Sequence, residues 1–300
     1  MEVVYVVLGM IAGTLSGLLG VGGGWLVVPT LNLLGMDMTV AVGTSLLQMV
    51  GGSLIGLISH YRFGHFNGKI ALLFALPGMI GSHGGKEIGL WLSQNGVAED
   101  ILSSLYLVLL GTVMILIWFR RRQPKDQKKS SPFRNLGPAI QIHDQIIPLY
   151  IPILSGFVIG MIAAILGIGG GLFLVPLAVY GLGIPIHIAV GSTILSIFLG
   201  STYSGISYSI AGKTDLTVAF FLLLGASFGG WLGAASSKII RSQTIENVYL
   251  ALVVSTILAI SFKLLAFEHL AYSLMAASGI GFIIFLGTSW ARAFLRKTRN

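Results

Sequence analysis

Nine apolar segments, several as long as a bilayer is thick, leave this chain few ways to satisfy its backbone. They run approximately over 2–35, 39–62, 68–93, 99–119, 146–181, 187–212, 215–238, 245–263 and 268–290. A helix of about 20 apolar residues crosses the hydrocarbon core, and within it every amide and carbonyl must find a partner inside the protein. Helices meet that demand. Composition agrees, with 55% of the residues hydrophobic and only 9% charged, against about 25% charged in a soluble domain. The expected fold is an all-α, polytopic integral membrane protein in contact with lipid along most of its length.

Two of the segments carry the same interruption. Gly20-Val21-Gly22-Gly23-Gly24 stands inside 2–35, and Gly167-Ile168-Gly169-Gly170-Gly171 stands inside 146–181. Around them Leu19 to Pro29 aligns with Leu166 to Pro176 at an offset of 147. One inserted residue later, "AVGTS" (Ala41 to Ser45) aligns with "AVGST" (Ala189 to Thr193), and "FGHFN" ending at Asn67 aligns with "AGKTD" ending at Asp215. Gly81 and Gly85 then match Gly229 and Gly233. Matched blocks in one order mark an internal duplication. Residues 1–119 form a first repeat, 120–145 a basic linker, 146–264 a second repeat, and 265–300 an extra C-terminal helix and basic tail. Glycine clusters followed by proline break and restart helices, so 2–35 and 146–181 are expected to be re-entrant hairpins, each followed by three spans.

Charge tests that expectation. The net charge is +8, yet 11 of the 18 basic residues fall in two places, Arg120 to Arg134 and the tail from Arg292 to Arg299. Basic clusters flanking apolar segments follow the positive-inside rule, which is the reading preferred over nucleic-acid binding. Both clusters face the cytoplasm only if an even number of crossings separates them, and five apolar segments lie between. Treating 146–181 as a hairpin without net crossing removes the conflict. Lys238, Arg241, Arg62 and Lys69 then lie inside, while Glu99, Lys213, Lys263 and the N-terminus lie outside. Three spans per repeat is an odd number, so the repeats are inverted, an arrangement of secondary transporters. The alternative, plain spans at 2–35 and 146–181, leaves one basic cluster outside.

A break inside the bilayer must be buried or line a wet cavity, and the restarting half-helix presents free amides that attract anions. The expected substrate site therefore takes Gly22, Gly23, Gly24, Gly169, Gly170 and Gly171, against the blander reading that these glycines only let helices pack closely. The next span in each half begins with hydroxyls at matching positions, which adds Thr44, Ser45, Gln48, Ser192, Thr193 and Ser196. Ser192, Ser196, Gly200, Ser204 and Tyr208 form an i, i+4 stripe on one helix face. Any single hydroxyl among them is equally able to bond its own helix. Ionisable groups within a span mark function, so His83, Lys86 and Glu87, at i, i+3 and i+4, are the candidates for ion coupling; the second half has Trp231, Ala234 and Ala235 there. His60 and His65, near a loop, are expected to be solvated. Asn67 and Asp215 are expected to cap helices.

Enzyme signatures are thin, and the chain is not expected to be an enzyme. Gly212-Lys213-Thr214 has Ser207 where a P-loop needs glycine, and neither HExxH nor GxSxG occurs. With no cysteine, thiolate metal sites and disulfides are excluded, and no cofactor or metal is called for. The paired strings "GLLGVGGGWLVVP…AVGTS…GHFN" and "AILGIGGGLFLVP…AVGST…GKTD" resemble the TauE/SafE family of membrane permeases over about 5–265. The resemblance implies a cell-membrane exporter of sulfite, an organosulfonate or a related sulfur oxyanion, with protons as a candidate coupling ion. The trio at His83, Lys86 and Glu87 is not part of the shared motif. An anion channel, and further off an intramembrane enzyme or sulfur-delivery protein, are the alternatives.

Overall fold

The computed structural model describes residues 2–121, 138–142, 145–236, 242–265 and 267–297. The helices of the first half are α1 (Glu2–Leu19), α2 (Gly24–Leu33), α3 (Met38–Arg62), α4 (Gly68–Gln94) and α5 (Ala98–Arg121). The second half has α6 (Tyr150–Leu166), α7 (Gly171–Pro176), α8 (Ile186–Ile210), α9 (Leu216–Ser236) and α10 (Ser242–Leu264), followed by α11 (Glu268–Lys297). Among the described residues six helices are long and apolar enough to cross a membrane: α1, α3, α5, α8, α9 and α11. The protein is a multi-pass, all-helical membrane protein in its essentials.

Both glycine strings interrupt a helix. Gly20 and Gly22 have φ of +64° and +79°, and Gly167, Gly169 and Gly170 have +69°, +79° and +74°. That left-handed region is open to glycine and strained for other residues. α1 therefore stops at Leu19 and α6 at Leu166, and new helices start at Gly24 and Gly171. Asp37, Asn67 and Asp215 accept amides at the starts of α3, α4 and α9, at 3.0 to 3.2 Å. The last two are the caps expected from the sequence.

Three details depart from expectation. The linker 120–145 holds part of a two-stranded antiparallel hairpin, β1 (Ala139–Ile142) paired with β2 (Gln145–Pro148). The apolar stretch from 146 thus opens as a strand, and α6 begins only at Tyr150, because buried Ile147 and its neighbour Ile140 pack against Ile70 and Phe74. α7 passes after Pro176 into a π-helical turn, Leu177–Gly181, since proline supplies no amide to the helical ladder. The basic stretch Arg120 to Arg134, together with Lys238 and Arg241, lies almost wholly outside the described residues.

Packing is reciprocal between the halves. α1 lies along α9 with Gly9, Gly13 and Gly17 so close that an added Cβ would stand 2.1 to 2.2 Å from carbonyls of Leu222, Ala226 and Gly230. α6 lies along α4 in the matching way, with Gly156 and Gly160 against Phe74 and Gly78. Each first helix thus packs on the helix of the other half that matches its own partner's position. Small residues permit this backbone-to-backbone approach, the main source of helix association where lipid removes the hydrophobic drive.

Candidate functional site

The two glycine turns meet. A Cβ at Gly24 would stand 1.9 Å from the Gly167 carbonyl oxygen, and one at Gly171 would stand 2.1 Å from that of Gly20. Met49, fully buried on α3, puts its Sδ against Gly22 and Gly169 at once. Turn touches turn, so the space directly between the tips, where the sequence reading placed a ligand, is filled in this conformation. Backbone amides of Gly22 to Gly24 and of Gly169 to Leu172 nevertheless have no carbonyl partner among the described residues.

An open volume lies beside the second turn. A cavity of about 20 Å³ is bounded by Gly169 and Gly170, by Ser82 of α4, and by Ser196, Ser201 and Ser204 of α8. Gly200 and Leu46 also face it, so the part of the α8 stripe at Ser196, Gly200 and Ser204 points to a single space. Those three serines are 9%, 1% and 0% exposed, and none of their hydroxyls has a hydrogen-bond partner in the protein. A buried unpaired hydroxyl is destabilising by about 1–3 kcal/mol. A void of this scale has room for about one water, and a larger oxyanion would require α8 and the turn to separate. Ser82 is different, because it donates to Gly78 and Gly160 carbonyls at 2.8 and 3.2 Å.

Gly169, Gly170 and Ser196 of the residues expected from the sequence line the cavity. Gln48, at the position matching Ser196, is likewise buried with neither amide atom paired. The others are engaged elsewhere. Thr44 Oγ1 accepts the Asp215 amide at 3.0 Å, and Ser192 Oγ accepts the Asn67 amide at 3.0 Å. These bonds link the two halves of the chain: each hydroxyl receives the helix-start amide of the other half. Ser45 donates to the Gly167 carbonyl at 3.2 Å, fastening α3 to the second turn, and Thr193 bonds back to Ala189 at 2.9 Å. Thr44→Val and Ser192→Ala each leave a half-buried amide unpaired, and each is expected to lower stability by about 1 kcal/mol, read as a lower melting temperature in detergent.

The trio on α4 does not join this site. His83 and Glu87 are exposed, Lys86 pairs with adjacent Glu87 at 2.5 Å, and His83 Nδ1 lies 2.5 Å from the Tyr203 hydroxyl. His60, expected to be solvated, is 1% exposed, with Nε2 3.0 Å from the Gly17 carbonyl oxygen. Ser82, Ser201 and Ser204 were missing from the expected set. The stripe was the available signal for Ser204; Ser82 had none beyond its i+4 spacing from Gly78.

Comparison with known proteins adds an independent line. The family described as Sulfite exporter TauE/SafE matches residues 5–264. The probable membrane transporter protein YunE of Bacillus subtilis is 31% identical over 257 residues, covering 82% of this chain and 92% of its own. The probable membrane transporter protein MJ0441 of Methanocaldococcus jannaschii is 26% identical, covering 85% and 91%. The sulfite exporter TauE/SafE family protein 6 of Arabidopsis thaliana is 27% identical over 173 residues, covering 56% of this chain and 39% of its own. No solved structure matches the chain significantly.

Proposed function

The chain belongs to the sulfite exporter TauE/SafE family, and from that premise we propose that it exports a small anion, sulfite, an organosulfonate or a related sulfur oxyanion, by alternating access. The observation that carries the site is the trio of buried, unpartnered hydroxyls at Ser196, Ser201 and Ser204 beside Gly169 and Gly170. Hydroxyls and free amides donate to an oxyanion without a fixed positive charge, so the ion is held and still leaves. Left unpaired in the protein, they are costly to the fold and open to a ligand.

In this reading residues 1–119 and 146–264 are inverted repeats, with Glu99 and Lys263 outside and Arg62 and Lys69 in the cytoplasm. The reciprocal contacts of α1 with α9 and α6 with α4 support that symmetry. Opening on one side and then the other follows when one repeat moves against its mate, widening a cavity that now has room for about one water. An inside-negative potential drives an anion outward by about 2.3 kcal/mol per charge per 100 mV.

Thermal unfolding of the detergent-purified protein in sulfite, sulfate, thiosulfate, sulfoacetate or taurine tests this reading. A transported anion is expected to raise the melting temperature in proportion to the logarithm of its concentration, and to show counterflow in proteoliposomes. Flat melting curves with every anion would sink the proposal; binding without exchange stimulation would replace it with a channel.

A further inference from the structure

Three imidazoles lie in a row at the end of the first broken helix. His187, at the start of α8, is exposed and stacks on His65 with ring centroids 5.0 Å apart and planes at 27°. His65, in the loop after α3, is half-buried and stands 5.7 Å from the ring of His60. His60 is fully buried, and its Nε2 meets the carbonyl oxygen of Gly17, in the last turn of α1. A carbonyl only accepts, so Nε2 carries the hydrogen, and Nδ1 is a bare nitrogen without a partner. The Gly17 carbonyl is one of the four that a helix end leaves open, since the turn at Gly20 removes the amides that would have used it. His60 therefore clamps the end of α1 immediately before the first glycine turn.

The matching clamp in the second half is chemically different. Tyr208, which matches His60, donates its hydroxyl to the Ala164 carbonyl at 3.2 Å, two residues before α6 ends. Tyrosine titrates near about pH 10 and histidine near about 6.5. Positions matching His65 and His187 are Lys213 and Thr39. One turn is held by an imidazole, which can take up a second proton on its ring, the other by a phenol, which cannot.

We propose that His60, reached from solvent through His187 and His65, is a proton-binding site whose occupation releases the first glycine turn and leaves the second in place. A proton on His60 would convert Nδ1 into a buried, unpaired donor on a charged ring, which the closed packing does not satisfy. That moves the His60 ring toward water and off the Gly17 carbonyl, so acidification loosens the clamp. Among the described residues no carboxylate faces the His60 ring. Arg62 and Lys69 are exposed and basic, α9 carries no titratable side chain from Leu216 to Ser236, and Glu2 stands at the far end of α1. Resting on the transport reading, this assigns proton coupling to the side of Arg62 rather than to His83.

Hydrogen exchange tests the proposal without any substrate. Peptides covering 14–26 and 161–173 are followed from pH 8 to about pH 5.5, across the ordinary histidine range, with rates corrected for intrinsic exchange. The expected result is at least a tenfold loss of protection in 14–26 on acidification and none in 161–173. His60→Gln and His60→Tyr are expected to abolish the pH response, and His65→Asn to displace its midpoint. Equal responses of the two peptides, or no response in the wild-type chain, would overturn the proposal whether or not the variants fold. Failure here leaves the anion site standing, since that site is read by thermal shift.

Discussion

Gly24→Ala and Gly171→Ala, combined, are expected to leave almost no monodisperse protein after extraction, although each adds a single methyl group. The two Cβ atoms would stand 1.9 and 2.1 Å from the backbone carbonyl oxygens of Gly167 and Gly20. Backbone cannot rotate away as a flexible side chain does, so the turns must separate. Overpacking of a core costs typically about 1–3 kcal/mol and sometimes more, and contacts this short belong to the severe end. Two such insertions consume much of a total stability of about 5–15 kcal/mol. The same exchange elsewhere is expected to be harmless. At Gly84 no atom lies within 4 Å of an added Cβ, and alanine favours the α4 helix by about 1 kcal/mol over glycine. Size-exclusion profiles and melting curves of Gly84→Ala beside the double variant separate crowding at the turns from a general intolerance of alanine.

Replacing Ser196, Ser201 and Ser204 together by alanine is expected to have opposite effects on stability and flux. Removing a buried hydroxyl that has no partner in the protein relieves its desolvation penalty, so the melting temperature should hold or rise. Removing the three donors that face the cavity should reduce anion flux by about 10³-fold, if each hydrogen bond to a charged ligand contributes about 1.5 kcal/mol. Proteoliposome efflux of radiolabelled sulfite, measured beside the melting curve, reads both signs. A variant with unchanged efflux would reduce these serines to packing residues.

The breaks were legible in the sequence because their cause is local. Several glycines in five residues admit left-handed backbone, and the structure uses it at Gly20, Gly22, Gly167, Gly169 and Gly170. The caps at Asn67 and Asp215 are local as well. The doubled motifs were visible, but their use was not: Thr44 and Ser192 answer each other's repeats across 171 and 125 residues of chain, a pairing that only the assembled fold determines. Helical spacing put His83, Lys86 and Glu87 on one face without saying which face is buried. Symmetry of sequence also left side-chain volumes at the two turns unequal. The first turn has Gly56 where the second has Ser204, and Leu47 and Ile194 side chains lie beside Gly205 and Gly56. Side-chain volumes from opposite halves decide where open space falls, so the cavity beside the second turn is found only by packing the chain.

The central claim, that the serine-lined cavity beside the second turn takes the anion, is tested most directly by calorimetric titration of sulfite into the wild-type protein and the Ser196→Ala, Ser201→Ala, Ser204→Ala variant, both reconstituted in lipid nanodiscs. Saturable binding to the wild-type chain that weakens at least tenfold in a variant of equal or higher melting temperature is the predicted result. Equal affinity in the two proteins would contradict it and place the anion elsewhere.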